Sequence, residues 1–159
     1  MTKQLKLPTL LVVSEDPTVR FWVKKHFDEK FFIIQAEKKE EAISAISAAL
    51  DFIIIDDAIE SYNPLELCET LHILTQKNLT PILLITGKLK KAYRDEAKKH
   101  GITNFLSDQL EIEELQARID EGLKGASIRQ KNRKPHPIYP SKYPHNLKSF
   151  STKKNHPQR

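Results

Sequence analysis

Seven residues constrain this chain more than any others: Asp51-Phe52-Ile53-Ile54-Ile55-Asp56-Asp57. Four consecutive apolar residues, three of them β-branched, stand between carboxylates. A strand with one wet face alternates apolar and polar residues, so an unbroken run fits a strand covered on both sides. Four residues are too few for a buried helix. Doubly covered strands form the centre of parallel α/β sheets, and open sheets of that class gather their ligand sites along the carboxyl edge. Asp56 ends the run there and becomes the centre of the candidate site.

Similar runs recur along the chain. Thr9-Leu10-Leu11-Val12-Val13 leads into Ser14-Glu15-Asp16, and Pro81-Ile82-Leu83-Leu84-Ile85-Thr86 closes on a hydroxyl and Gly87. Phe31-Phe32-Ile33-Ile34 and Thr103-Asn104-Phe105-Leu106 are shorter strand candidates, the latter leading to Ser107-Asp108. Helical spacing fills the intervals. Asp16 stands as N-cap before Pro17, with Val19, Trp22, Val23 and Phe27 forming an apolar face. Ala42, Ile43, Ile46 and Leu50 mark a second helix, and Asn63-Pro64 opens a third with Leu67, Leu71 and Leu74 inward. From Lys88 to His100 the apolar stripe thins to Ala92, Tyr93 and Ala97, and Gly101 ends that helix. The last helix carries Ile112, Leu115, Ile119 and Leu123 and is expected to run out between Gly122 and Gly125. Five strands alternating with five helices predict an α/β fold with a doubly wound, five-stranded parallel sheet.

Charge divides the chain. From Ala126 onward there are nine Lys and Arg and no acid, against chain totals of 26 basic and 21 acidic residues. The body is therefore mildly acidic and the tail strongly basic. Residues 126–159 also hold five prolines and few aliphatics, so they are expected to be a disordered or extended tail. Arg129, Lys131, Arg133 and Lys134 begin its basic run, and Tyr139, Tyr143 and Phe150 interleave with later cations. Such a segment suits nucleic acid, through phosphate contacts and base stacking, and equally an acidic protein or anionic lipid. A solubilising extension is the plain alternative. No apolar stretch is long enough to span a membrane, and the amino terminus lacks a signal-peptide core. The one cysteine, Cys68, excludes a disulfide framework and reads as a small core hydrophobe. A cytoplasmic protein is the expectation.

Residues 8–124 resemble the receiver domain of response regulators in two-component signalling, the CheY-like, flavodoxin-type fold. The resemblance rests on the acids after the first strand, Asp56 ending the third, Thr86 ending the fourth, and Gly101 and Phe105 around the fifth. It implies that Asp56 accepts a phosphoryl group from a histidine kinase or phosphotransfer protein, with Thr86 contacting that group. It further implies Mg²⁺ held by Glu15, Asp56 and the backbone of Ala58, with Asp16 as a further candidate. Phe105 corresponds to the aromatic that moves on activation. The surface of the fourth helix, fifth strand and fifth helix is the implied docking face.

Three positions depart from the family pattern. The lysine-proline pair after the fifth strand is Asp108-Gln109, the acidic pair is reduced to Ser14-Glu15, and the loop proline is Glu60. The lysine is the serious loss. A unit charge about 5 Å away at an effective dielectric near 20 is worth roughly 3 kcal/mol, and reversing its sign counts twice, about 6 kcal/mol before screening. Lys88 is a candidate replacement cation, although a lysine opening a helix is ordinarily solvated. Two readings of the pocket follow: weak phosphorylation supported by Mg²⁺, or an atypical pseudo-receiver acting through protein contacts. A rival class is a nucleic-acid-binding protein using the tail, with the body as scaffold. Glu15, Asp56 and Asp108 lack the histidine ligands of a metal hydrolase, and no nucleophile elbow, Walker loop or dinucleotide fingerprint appears. The expectation is a signalling module rather than an enzyme.

Overall fold

The computed structural model describes residues 6–131. Five strands, β1 (Thr9–Val13), β2 (Phe32–Ala36), β3 (Phe52–Asp56), β4 (Ile82–Thr86) and β5 (Phe105–Ser107), form one parallel sheet in the order β2-β1-β3-β4-β5. Between and after them come α1 (Pro17–Phe27), α2 (Lys39–Ser44), α3 (Pro64–Thr75), α4 (Lys91–Lys99) and α5 (Ile112–Lys131). This is the expected doubly wound α/β architecture. Every residue of β1, β3 and β4 is buried, as continuous apolar runs require when both faces are covered.

Alternation along the strands separates two cores. Leu11, Val13, Ile53, Ile55 and Leu84 pack on the side of α2, α3 and α4, around Cys68 and Leu71. Leu10, Val12, Phe52, Ile54, Leu83 and Ile85 face α1 and α5, against Val23, Phe27, Leu115 and Ile119. Cys68 is fully buried, and that burial pushes its thiol up to about 12. It is a core side chain.

The two Pro-started helices begin as read. Asp16 accepts from the Thr18 amide at 2.8 Å, and Asn63 accepts from Leu65 and Glu66 at 2.9 and 3.3 Å. Each cap contributes about 1 kcal/mol. Gly101, at φ 88°, takes the left-handed turn after α4.

Several boundaries differ from expectation. The second helix breaks after Ser44 into a 3₁₀ turn, Ala45–Ala48, with Ala49 left-handed at φ 59°. α4 starts at Lys91 rather than Lys88, and β5 is shifted two residues to Phe105. The larger difference is at the end. α5 does not stop at Gly122 to Gly125 but continues to Lys131, so residues 126–131, expected to be irregular, are helical. Gly122 sits inside that helix because α5 lies close on the sheet, where a Cβ would overlap the Phe52 ring. It is a packing glycine. Residues 132–159, the rest of the predicted tail, lie outside the described residues.

At the open margin of β5, the Leu84 amide takes Asn104 O, which leaves Phe105 O facing outward. Arg118 Nη1 donates to that oxygen at 2.6 Å and to Asn104 Oδ1 at 3.0 Å.

Candidate functional site

Parallel strands deliver their carboxyl ends to one edge, so Ser14 and Glu15, Asp56, Thr86 and Asp108 gather there from four strands. The register pairs Val13 with Ile55 and Asp56 with Ile85. Thr86, one residue on, pairs with Ser107 next to Asp108.

Asp56 is only 4% exposed, and both of its carboxylate oxygens have donors. The Ser14 hydroxyl donates to Oδ2 at 2.8 Å, and the Ala58 amide donates to Oδ1 at 3.1 Å. Ser14 is itself fully buried, and its carbonyl accepts Arg20 Nη1 at 2.5 Å. Its Oγ also accepts from the Asp16 amide at 3.0 Å. The residue at the reduced acidic pair thus holds the central carboxylate. Asp16 is exposed and caps α1.

Glu15 points elsewhere. Its oxygens accept the Glu60 amide at 2.8 Å and the Ser61 amide at 3.3 Å, tying the β3–α3 loop to the end of β1. Hydrogen bonding to the Ser61 side chain, and then to the Glu60 amide, lowers the Glu15 carboxyl below its ordinary value. A lowered carboxyl stabilises the folded loop above the unfolded value, about pH 4.3, and loses that contribution as pH falls through the folded value. The Glu60 and Ser61 amide resonances are therefore expected to shift together on acidification below about pH 4.3. Glu15→Gln should flatten that titration. Amides that ignore pH in the native chain would show that the loop is anchored by something else.

Thr86 is fully buried, and its Oγ1 accepts the Lys88 amide at 2.8 Å. The Lys88 ammonium lies over the Tyr93 ring, 5.5 Å from its centroid. Among the described residues no ion pair reaches Asp56. Asp108 is exposed, and its carboxylate lies over Gly87: a Cβ there would be 2.7 Å from Asp108 Oδ2. Its amide donates to Thr86 O at 3.1 Å. Phe105 is half-buried and packs on the α2–α4 side of the sheet.

One contact escaped the sequence reading. Tyr93, on the thin apolar stripe of α4, donates its hydroxyl to Asp57 Oδ2 at 2.6 Å and ties α4 to the end of β3. Burial, then the Asp57 hydrogen bond, raises the Tyr93 phenol well above its ordinary range. Of the basic residues noted in the tail, Arg129 and Lys131 fall in the last turns of α5, while Arg133 and Lys134 lie outside the described residues.

Receiver domains typically bind Mg²⁺ at this acidic edge. Here Glu15 is engaged by loop amides and Asp56 by Ser14 and Ala58. Among the described residues no group of three His, Cys, Asp or Glu is placed to hold an ion. Mg²⁺ takes one or two carboxylates with waters completing its shell, and here Glu15 and Asp56, each already accepting protein donors, would be the carboxylates to hold it.

Comparison with known proteins gives the same family. The family model for the response regulator receiver domain matches residues 10–120. The heme response regulator HssR of Staphylococcus saprophyticus is 26% identical over 128 residues, covering 79% of this chain and 56% of that protein. The response regulator ArlR of Staphylococcus epidermidis is 25% identical over 115 residues, covering 71% of this chain and 51% of that one. The chain thus spans about half the length of these relatives. The chemotaxis protein CheY4 of Vibrio cholerae superposes with a TM-score of 0.69 at 24% identity, covering 74% of this chain and 100% of that one. By sequence and by fold, the chain belongs to the response regulator receiver domain family.

Proposed function

We propose that this chain is a signalling module of a two-component or phosphorelay system that acts through protein–protein contact, with a degenerate phosphorylation site. The receiver fold is generally a non-enzymatic signalling unit, and receiver domains interact with histidine kinases and phosphotransfer proteins. The observation that carries the proposal is the Ser14 hydroxyl on Asp56 Oδ2 at 2.8 Å. A neutral donor occupies the place of a family acid and closes the nucleophile into a buried pocket. Asp108 compounds the effect, because phosphoryl transfer needs positive charge to offset the equatorial oxygens and this edge offers a carboxylate instead. On this reading Asp56 and Thr86 keep the family's positions without its switch, and Phe105 stays inward. Glu15 and the Ala58 amide brace the pocket rather than a metal. The cytoplasm is its proposed compartment; among the described residues no helix is long and apolar enough to cross a membrane.

Incubation with Mg²⁺ and a small acyl phosphate, followed by intact-mass measurement, is expected to leave the mass unchanged. A gain of one phosphoryl group that disappears in Asp56→Asn would overturn the proposal.

The acid-free basic run supports a second reading, contact with nucleic acid. It predicts salt-steep binding to DNA or RNA by the full chain, lost when Arg129, Lys131, Arg133 and Lys134 become glutamine. Binding that is flat in salt, or unchanged in that variant, would remove it.

A further inference from the structure

The sheet has two margins, and only one is closed. At β5 the Arg118 guanidinium donates to the outward Phe105 O at 2.6 Å. At β2 no described residue bonds to the outer side of the strand. Three observations say what that margin takes.

The first is which backbone groups are open. In a parallel ladder, alternate residues of a strand turn both amide and carbonyl to the same neighbour. The Phe32 amide donates to Pro8 O at 2.9 Å and Ala36 O accepts the Ser14 amide at 3.0 Å, so Phe32, Ile34 and Ala36 serve β1. Ile33 and Gln35 turn theirs outward. The next outward amides on either side are taken. Phe31 donates to Phe27 O at 3.0 Å, and Glu37 donates to Glu41 Oε1 at 2.8 Å. The open window is therefore centred on Ile34, with one outward residue on each side.

The second is the side chains. β2 reads Phe-Ile-Ile-Gln-Ala, without the charge, proline or bulge that ordinarily blocks strand addition. Phe32 is 61% exposed, and Ile33 and Ile34 are half-buried. The flanking charges lie outside the window. Lys30 Nζ donates to Gln116 Oε1 at 3.2 Å, and Lys38 turns into the α2 cap with its amide on Glu41 Oε1 at 3.0 Å.

The third is symmetry. Antiparallel strands exchange both bonds between residues that face each other. A second β2 laid antiparallel, with Ile34 on the two-fold axis, sets Ile33 opposite Gln35 of the second copy and Gln35 opposite its Ile33. Every open amide and carbonyl of both copies then pairs. Moving the axis to Ile33 or Gln35 would instead set an open residue against the occupied Phe31 or Glu37. In the Ile34 register the two copies of Ile34 meet, and the exposed Phe32 covers the small Ala36 of the second copy.

We propose that this chain pairs with a second copy of itself along β2, antiparallel about Ile34, to make one continuous ten-stranded sheet. The two outer margins are then the β5 strands with Arg118 on them, so the assembly closes at two copies. The inference is independent of whether Asp56 is phosphorylated.

The test uses the full chain. Sedimentation equilibrium at about 1 mM, where even a weak pair assembles, is expected to give twice the mass of one chain, falling to the single mass on dilution. Gln35→Pro removes an outward donor without touching the ladder to β1, and should stay at the single mass. Cross-linking fixes the register. Facing residues of such a pair have Cα atoms about 4.5 Å apart, within disulfide reach. Under mild oxidation Ile34→Cys should form a reducible dimer several-fold faster than Phe32→Cys, although Phe32 is the more exposed; Cys68 is buried and takes no part. Random collision would give the reverse order and overturn the proposal. So would the single mass at the higher concentration, a Gln35→Pro chain that still pairs, or species larger than two copies. Should Gln35→Pro unfold, the order of cross-linking decides alone.

Discussion

Ser14→Asp is expected to make the stability of this chain depend on a divalent cation. The new carboxylate would stand where the Ser14 hydroxyl now lies, 2.8 Å from Asp56 Oδ2 and fully buried. Two like charges about 4 Å apart at an effective dielectric near 20 repel by about 4 kcal/mol, and the lost hydrogen bond adds about 1 kcal/mol. In EDTA at neutral pH the variant should lose about 5 kcal/mol against urea, a large part of a typical domain's stability. Millimolar Mg²⁺ should restore much of it, since a ligand held a hundredfold above its Kd returns about 2.7 kcal/mol. The native chain should melt alike in both buffers. Adding Asp108→Lys supplies the second missing part. Solvent weakens its field, because residue 108 is exposed, yet even about 1.4 kcal/mol is tenfold in an equilibrium. The double variant is expected to gain a phosphoryl mass with a small acyl phosphate where the native chain gains none. A Ser14→Asp protein as stable as the native one in EDTA would show that residue 14 does not govern this pocket.

Gly122→Val is expected to destabilise the fold by about 3 kcal/mol, from overpacking against a rigid neighbour. A Cβ on Gly122 overlaps the Phe52 ring and stands 3.3 Å from Pro81 Cγ, and Phe52 is fully buried between β3 and α5. Gly122→Ala is the sharper comparison. In an exposed helix that exchange stabilises by about 1 kcal/mol. Here it should destabilise, and Phe52→Leu should relieve part of the loss through non-additive coupling of touching residues. Urea denaturation of the two single variants and the double would decide. A stabilising Gly122→Ala would mean that α5 does not lie against Phe52.

The same glycine shows where the sequence was legible and where it was not. Strands covered on both faces announce themselves as unbroken apolar runs, so β1, β3 and β4 could be read directly. The partly exposed β2 and β5 mix apolar and polar residues, and their limits moved by one or two positions. A glycine in a helical pattern has two meanings. Gly101 takes a positive φ and ends α4, whereas Gly122 makes room for an aromatic ring and ends nothing. No local pattern separates the two, so the sequence pattern puts the end of α5 earlier than the structure does. The site divides in the same way. Strand topology brought Ser14, Glu15, Asp56, Thr86 and Asp108 to one edge, as their places in the pattern required. Which carboxylate holds which donor was not readable, because Ser14–Asp56 and Tyr93–Asp57 join positions 42 and 36 residues apart.

Arg118 has a further consequence. Phe105 O is an outward-facing acceptor on a strand that, among the described residues, has no neighbour beyond it, the kind of margin along which chains stack into filaments. A guanidinium donating to it at 2.6 Å covers the vacant backbone oxygen and leaves positive charge where an incoming strand would have to lie. Addition of a further strand along that edge would first have to displace the Arg118 guanidinium.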